Sequence, residues 1–321
     1  MISRLIRSLF SPASFSVFLA LVLLLASGCG VLRRAALRNV AGVFSDPSGS
    51  NVFVTDDDPE LIRQALPFAL KTYEALLAAN PKDRHLCTAT AQAFVEYANA
   101  FVHEEADRLK GLNFTRAQQL RQRASKLYLR GRGYALAGLA LDYPGFEKRL
   151  REDPQQPLEA LSTKDVALLF WAAAGWAGAI ATDVGNMSLV AELSMVEAMM
   201  RRALTLDEAF EGAMIHEFFI TYEGSRSEAM GGSAQRAIAH FDRAVCLTQG
   251  QRAQPYVALA SSVAVRKQDD VMFQALLNEA LAVDPDAAPQ WRLSNTLAQE
   301  KARWLLEHGP DLFLDYEEAQ L

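Results

Sequence analysis

Across residues 58–308 apolar side chains recur at intervals of three and four, and no window keeps the strict alternation of a half-buried strand. The pattern predicts an all-α chain. One helix shows it plainly: Ala234, Ala237, Ile238, Phe241, Ala244 and Val245 fall on one face, so that face must pack on a neighbour. Longer periodic stretches predict helices over 84–109, 115–141 and 163–181. A last one over 291–307 places Trp304 and Leu305 inward and Glu300, Lys301 and Arg303 outward. The stretch 166–181 differs in kind, because every residue in it is apolar or small. It is short for a bilayer crossing, and reads as a helix buried all round.

A helix ending recurs along this pattern. ALTLDE from Ala203, AVCLTQ from Ala244, ALAVDP from Ala280 and LLAANP from Leu76 align without a gap. They resemble the second helix of tetratricopeptide repeats. There two small residues let helices approach, a bulky residue fills the space between them, and Pro stops the helix. Ala69, Tyr73 and Pro81 fit that motif, as do Ala237, Phe241 and Ala244, while Ala280 keeps the ending of a third copy. The endings lie 41 residues apart from Glu208 to Gln249 and 36 from Gln249 to Pro285, near the roughly 34 of such a repeat. The resemblance implies a tetratricopeptide-like helical-hairpin solenoid. Extra long helices fill the gap between Pro81 and Glu208, and residues 291–307 form a C-terminal capping helix. An irregular helical bundle is the competing reading.

Charge narrows the function. Thirty-two Lys and Arg stand against 38 Asp and Glu, a net charge of -6, so a nucleic-acid groove has no electrostatic footing. Five His and three Cys are never grouped at metal-ligand spacing, and neither metal nor cofactor is expected. Asp56, Asp57 and Asp58 before Pro59 invite a calcium reading, but Asp58 as a helix cap accounts for them. HEFFI from His216 has Ile220 where a zinc-protease helix needs its second histidine. Gly131-Arg132-Gly133 starts a dinucleotide fingerprint, meets Leu136 at the third glycine position, and follows a helix. Gly231-Gly232-Ser233 reads as a linker and cap. The chain is not expected to be an enzyme.

The N-terminus carries an address. Arg4 and Arg7 precede an apolar run over 17–26, which ends in LLLASGC. Ala26, Ser27, Gly28 and Cys29 resemble the lipobox of bacterial lipoproteins. The resemblance implies a signal peptide over 1–28, acylation of Cys29 as the mature N-terminus, and a lipidated tether over 29–54 ahead of an all-helical domain over 55–321. Gly30 after the cysteine is similar to the outer-membrane sorting pattern. Cys87 and Cys246 are the remaining cysteines, and whether they pair stays open.

Several stretches together resemble the T components associated with TRAP transporters, the TatT-type lipoproteins. They are DDDPELIRQALPFALKTYEALL from Asp56, YANAFVHEEAD from Tyr97, LLFWAAAGWAGAI from Leu168, HEFFI from His216, HFDRAV from His240, PYVALASSVAV from Pro255 and AQEKARWLLE from Ala298. The chain departs from many relatives at Arg266, where they carry Pro. The resemblance implies a periplasmic, lipid-anchored transport accessory with cryptic tetratricopeptide repeats, which engages the substrate-binding protein of a TRAP transporter and a small, hydrophobic ligand. Expected partners are that binding protein, the bilayer through Cys29, and further copies of the chain as a trimer. A general scaffold for envelope assembly is the alternative. Trp171 and Trp176 are five residues apart, about 140° around a helix, so they cannot share a face. Either both are core, or one lines a ligand cavity with His216 and Glu217 as polar companions.

Overall fold

Helices begin where short polar side chains can take free backbone N–H groups. In the computed structural model, which describes residues 52–315, Asp58 accepts from the amides of Glu60 and Leu61 at 3.0 and 2.9 Å and opens α1 (Pro59–Ala79). Asp83 opens α2 (Arg84–Tyr97) in the same way. That helix continues through a π-helical stretch, Ala98–His103, into α3 (Glu104–Arg108). Asn113 caps the long α4 (Phe114–Asp142), followed by α5 (Phe146–Glu152), α6 (Gln155–Glu159) and the apolar α7 (Val166–Thr182). Then come α8 (Met187–Val190), α9 (Leu193–Leu206) and α10 (Phe210–Ser225). Ser233 caps α11 (Ala234–Thr248). Next, α12 (Gln254–Leu259) runs through a second π-helical stretch, Ala260–Ala264, into α13 (Val265–Lys267). The last two are α14 (Asp270–Ala282) and α15 (Arg292–Glu307). No strand occurs among the described residues, so the chain is all-α.

Packing follows a rule. The helices α2, α7, α10, α12 and α15 touch one another in succession, and α4, α9, α11 and α14 each bridge two of them from the other side. The last helix then returns to the first. α15 packs on α1, the Leu293 amide donates to the Val54 carbonyl at 3.0 Å, Arg292 Nη1 donates to the Thr55 carbonyl at 3.0 Å, and Lys301 Nζ meets Glu104 Oε2 at 2.7 Å. Lys301 therefore does not point outward as expected, because a carboxylate of α3 faces it. Arg303 is exposed, and Leu305 is buried. Arg266 donates through Nε to the Gly224 carbonyl at 2.7 Å and ties α13 to the end of α10.

Two kinds of helix crossing hold the layers together. Toward the C-terminus the contacts are made by alanines: Ala237 and Ala244 sit in one core cluster with Ile220 and Val263, and Ala253, Ala260, Ala264 and Ala280 in another with Phe273 and Leu277. Between α4 and α7 the contact is closer. A methyl at Gly175 would lie 2.8 Å from the Tyr128 carbonyl oxygen and 3.0 Å from the Arg132 amide, so backbone rests on backbone. Gly131 meets α2 in the same manner, 2.7 Å from Val95 Cγ2 and 3.0 Å from the Ala91 carbonyl. That close approach accounts for Gly131, the first glycine of the false dinucleotide fingerprint, whereas a Cβ at Gly133 would meet open space. The described residues fall in one compact unit with its own buried core, and residues 1–45 lie outside the described residues.

Candidate functional site

The repeat positions behave as packing positions. Ala69 and Tyr73 are buried on α1, Ala237 and Ala244 on α11, and Ala280 on α14, while Phe241 is partly buried with its ring edge-on to Tyr256 at 5.2 Å. Cys87 is buried and Cys246 exposed, and both are free thiols. Cys29 lies outside the described residues.

Trp171 and Trp176 are enclosed, with 2% and 0% of their surface exposed. Trp171 stands edge-on to Phe170 at 4.9 Å. Trp176 donates through Nε1 to Glu192 Oε2 at 2.7 Å, and the guanidinium groups of Arg132 and Arg151 lie 4.5 and 5.0 Å from its ring. An indole so hydrogen-bonded and covered by cations is a structural centre for α4, α5 and α7. Neither tryptophan presents a face to open space, and no hydrogen bond or ring contact among the described residues joins either of them to His216 or Glu217.

Those two residues, adjacent on α10, turn to different neighbours. His216 Nδ1 lies 2.8 Å from His240 Nδ1 on α11, and its Nε2 lies 3.5 Å from Glu208 Oε1. One Nδ1 must carry the proton that the other accepts. Burial, then the charge of His216, lowers the His240 pKa to about 4, and burial lowers that of His216. The His240 ring also stacks on Phe219 at 4.8 Å, so the pair acts as a pin between α10 and α11.

Glu217 takes both arms of Arg252, at 2.7 Å from Nε and 3.0 Å from Nη2. Burial pushes its carboxyl pKa up against the pull of the Arg252 charge. The same guanidinium donates to the Glu211 carbonyl at 3.2 Å and lies 5.6 Å from the Trp291 ring. It thereby holds an unusual turn, in which Glu211, Gly212 and Ala213 have φ of 47°, 67° and 72°. Left-handed backbone at two non-glycine residues stores strain of about 1–3 kcal/mol each. Arg252 and the Trp291 ring, into which a Cβ at Gly212 would press at 2.6 Å, fix it.

Across from this turn runs a stripe that the periodicity analysis did not single out. Gln92, Glu96, Asn99 and His103 lie at helical spacing on α2 and its π-helical continuation, and none is fully buried although both flanks of the helix are. Burial raises the Glu96 carboxyl to about 7; the Gln92 hydrogen bond at 3.0 Å opposes this, and the Glu211 charge adds to it. The charge of Glu211 raises and that of Arg252 lowers the Glu96 pKa, so both groups lie near it. A polar row on an otherwise apolar helix was the available signal, but it reads equally as an ordinary solvent face.

Among the described residues this is an all-helical array, strained where α10 begins. Residues 55–313 match the TRAP transporter T-component family, and the chain belongs to it. It is 31% identical over 307 residues, 91% of this chain and 95% of the relative, to an uncharacterised protein of Treponema pallidum (strain Nichols). The family comprises transporter accessory components and is not an enzyme family, which associates the chain with a TRAP transport system of the cell envelope.

Proposed function

We propose that the protein is a periplasmic, lipid-anchored accessory of a TRAP transporter that engages the transporter's substrate-binding protein and receives a small ligand. Family membership supports the transport association. The two-layer succession of helices supports a tetratricopeptide-like solenoid, whose inner layer offers a surface to both protein and ligand. The observation that carries the ligand reading is the nearness of Glu96 to Glu211 and to Arg252, which Glu217 holds in a two-pronged ion pair. Convergent polar groups inside an otherwise apolar shell are what small-molecule sites are made of. The LLLASGC junction supports acylation at Cys29, and Gly30 supports the outer membrane as its destination.

Native mass spectrometry of the mature protein released from its own envelope tests the reading. It expects a fixed number of copies, three on the trimer reading, with one kind of binding protein and a bound small molecule. A mixture of unrelated envelope proteins without ligand would instead show a general assembly scaffold. For the anchor, Cys29→Ser is expected to leave unprocessed precursor and to abolish fatty-acid labelling; labelled lipid in that variant would refute it.

A further inference from the structure

Two histidines meet nitrogen to nitrogen where α10 packs on α11. His216 is buried, His240 is half-buried, and their Nδ1 atoms stand 2.8 Å apart. Such a contact holds only while one nitrogen carries a proton and the other does not. Which one carries it is decided at the far side of the pair. His216 Nε2 is buried without a hydrogen-bond partner, and Glu208 Oε1 lies 3.5 Å from it, close enough to act through its charge. Arg243 fixes that carboxylate with two hydrogen bonds of 2.7 Å. A bare lone pair facing Glu208 would be repelled, which assigns the His216 proton to Nε2. Its Nδ1 then accepts from the Nδ1–H of His240.

The path of an added proton follows from that order. The first enters at Nε2 of His240, the more exposed ring. The shared proton crosses from His240 Nδ1 to His216 Nδ1, and the charge comes to rest on His216 beside Glu208. The bond between the two Nδ1 atoms survives with donor and acceptor exchanged, now charge-assisted. A second proton has no such place. It leaves hydrogens on both Nδ1 atoms and two cations in contact, so the bond is lost.

The neighbours sharpen the difference between the two steps. On His216 the charge of Glu208 attracts a proton and that of Arg243 opposes it; on His240 Glu223 attracts, whereas His216, Arg201 and Arg236 oppose. The helices α7 and α12 also pack on α10 but carry no carboxylate, Lys, Arg or His. Glu217, the next residue along α10, is taken up by Arg252.

We propose that the pair is a two-stage acid latch: it joins α10 to α11 while the histidines share up to one added proton, and releases them when a second arrives. What then remains between the helices is the apolar cluster of Ala213, Ile220, Ala237 and Ala244, with the outer ion pairs of Arg236 with Glu223 and Arg243 with Glu208. The loosening falls on the start of α10, where the left-handed turn at 211–213 keeps Arg252 and the Trp291 ring as its supports. The latch is independent of the ligand reading.

The test uses the full-length protein labelled with 15N-histidine. At pH 7 the two Nδ1 atoms should show coupling across one hydrogen bond, with His216 protonated on Nε2. Acid should take the pair through two separate steps. Backbone hydrogen exchange in α10 and α11, corrected for its intrinsic pH dependence, should speed at least tenfold across the second step, while α4 and α7 stay within twofold. Glu208→Gln should move the first step about one unit toward acid. His240→Asn keeps an amide that can donate or, flipped, accept, but cannot take a charge, and should abolish the acceleration. Exchange that speeds equally in all four helices, or as much in His240→Asn as in the parent, overturns the inference. So do uncoupled nitrogens that titrate independently, or a first step unmoved in Glu208→Gln, whose side chain is partly exposed and dispensable for folding.

Discussion

The α4–α7 region and the α10–α14 region solve the same packing problem with different residues. In the second, alanines at 237, 244, 260, 264 and 280 keep helices close while a methyl layer remains between them. In the first, Gly131 and Gly175 let backbones touch, and the helices are longer, 29 residues in α4 and 17 in α7 against 15 in α11 and 13 in α14. Alanine crossings are tolerant, because neighbours can shift by a fraction of an ångström. A glycine crossing has no soft atom to move.

That contrast can be broken by substitution. Gly175→Leu should cost about 3 kcal/mol or more in urea unfolding, because the new side chain meets the Tyr128 carbonyl and the Arg132 amide. The regions also differ in how they answer pH. His240 on α11 has a folded pKa of about 4 against an ordinary 6.5, so the unfolded chain binds the proton first and stability falls as pH drops from about 6.5 toward 4. Glu96 on α2 works the other way. Its folded pKa of about 7, above the ordinary 4.5, means that the fold keeps the proton longer, and its contribution is lost as pH rises through 7. Glu96→Gln should therefore stabilise the protein at pH 8, by on the order of 2–3 kcal/mol, and do little at pH 5. His240→Gln should flatten the loss between pH 6.5 and 4. Unfolding curves at several pH values check both, and parallel shifts in the two variants would remove the contrast.

Smaller effects sharpen it. Ala244→Leu should cost about 1–3 kcal/mol, less than Gly175→Leu; an unchanged melt would mean that α11 does not use this face. Ser233→Ala, which deprives the Arg236 amide of its 3.2 Å acceptor, should cost about 1 kcal/mol and leave the α4–α7 region untouched by hydrogen exchange.

Much of the first contrast was legible in the chain. The helix over 115–141 is α4, the buried helix over 163–181 matches α7 to within three residues, and Asp58 caps α1, because caps and periodicity act within a few residues. The partners of those helices were not legible. Gly131 and Gly175 are visible as glycines, but only the opposing backbone gives them a purpose. The spacing of Trp171 and Trp176 correctly separates their directions, yet nothing local says that Arg132 and Arg151 close over Trp176. Glu96 is the sharpest case. On its own helix it belongs to a polar face, and the charges that act on it, Glu211 and Arg252, come from more than 100 residues away.

The return of α15 to α1 changes what kind of polymer this is. An open array can fray from either end, one unit at a time, at the cost of a single interface. Here the hydrogen bond from Arg292 to the Thr55 carbonyl joins residues 237 apart, and Lys301 clasps Glu104 beside it. Such a clasp can form only after nearly all of the chain has been made and folded, so its loop-closure entropy falls on the last step. Deleting either end removes the Arg292–Thr55 bond and leaves α1 and α15 to fray separately.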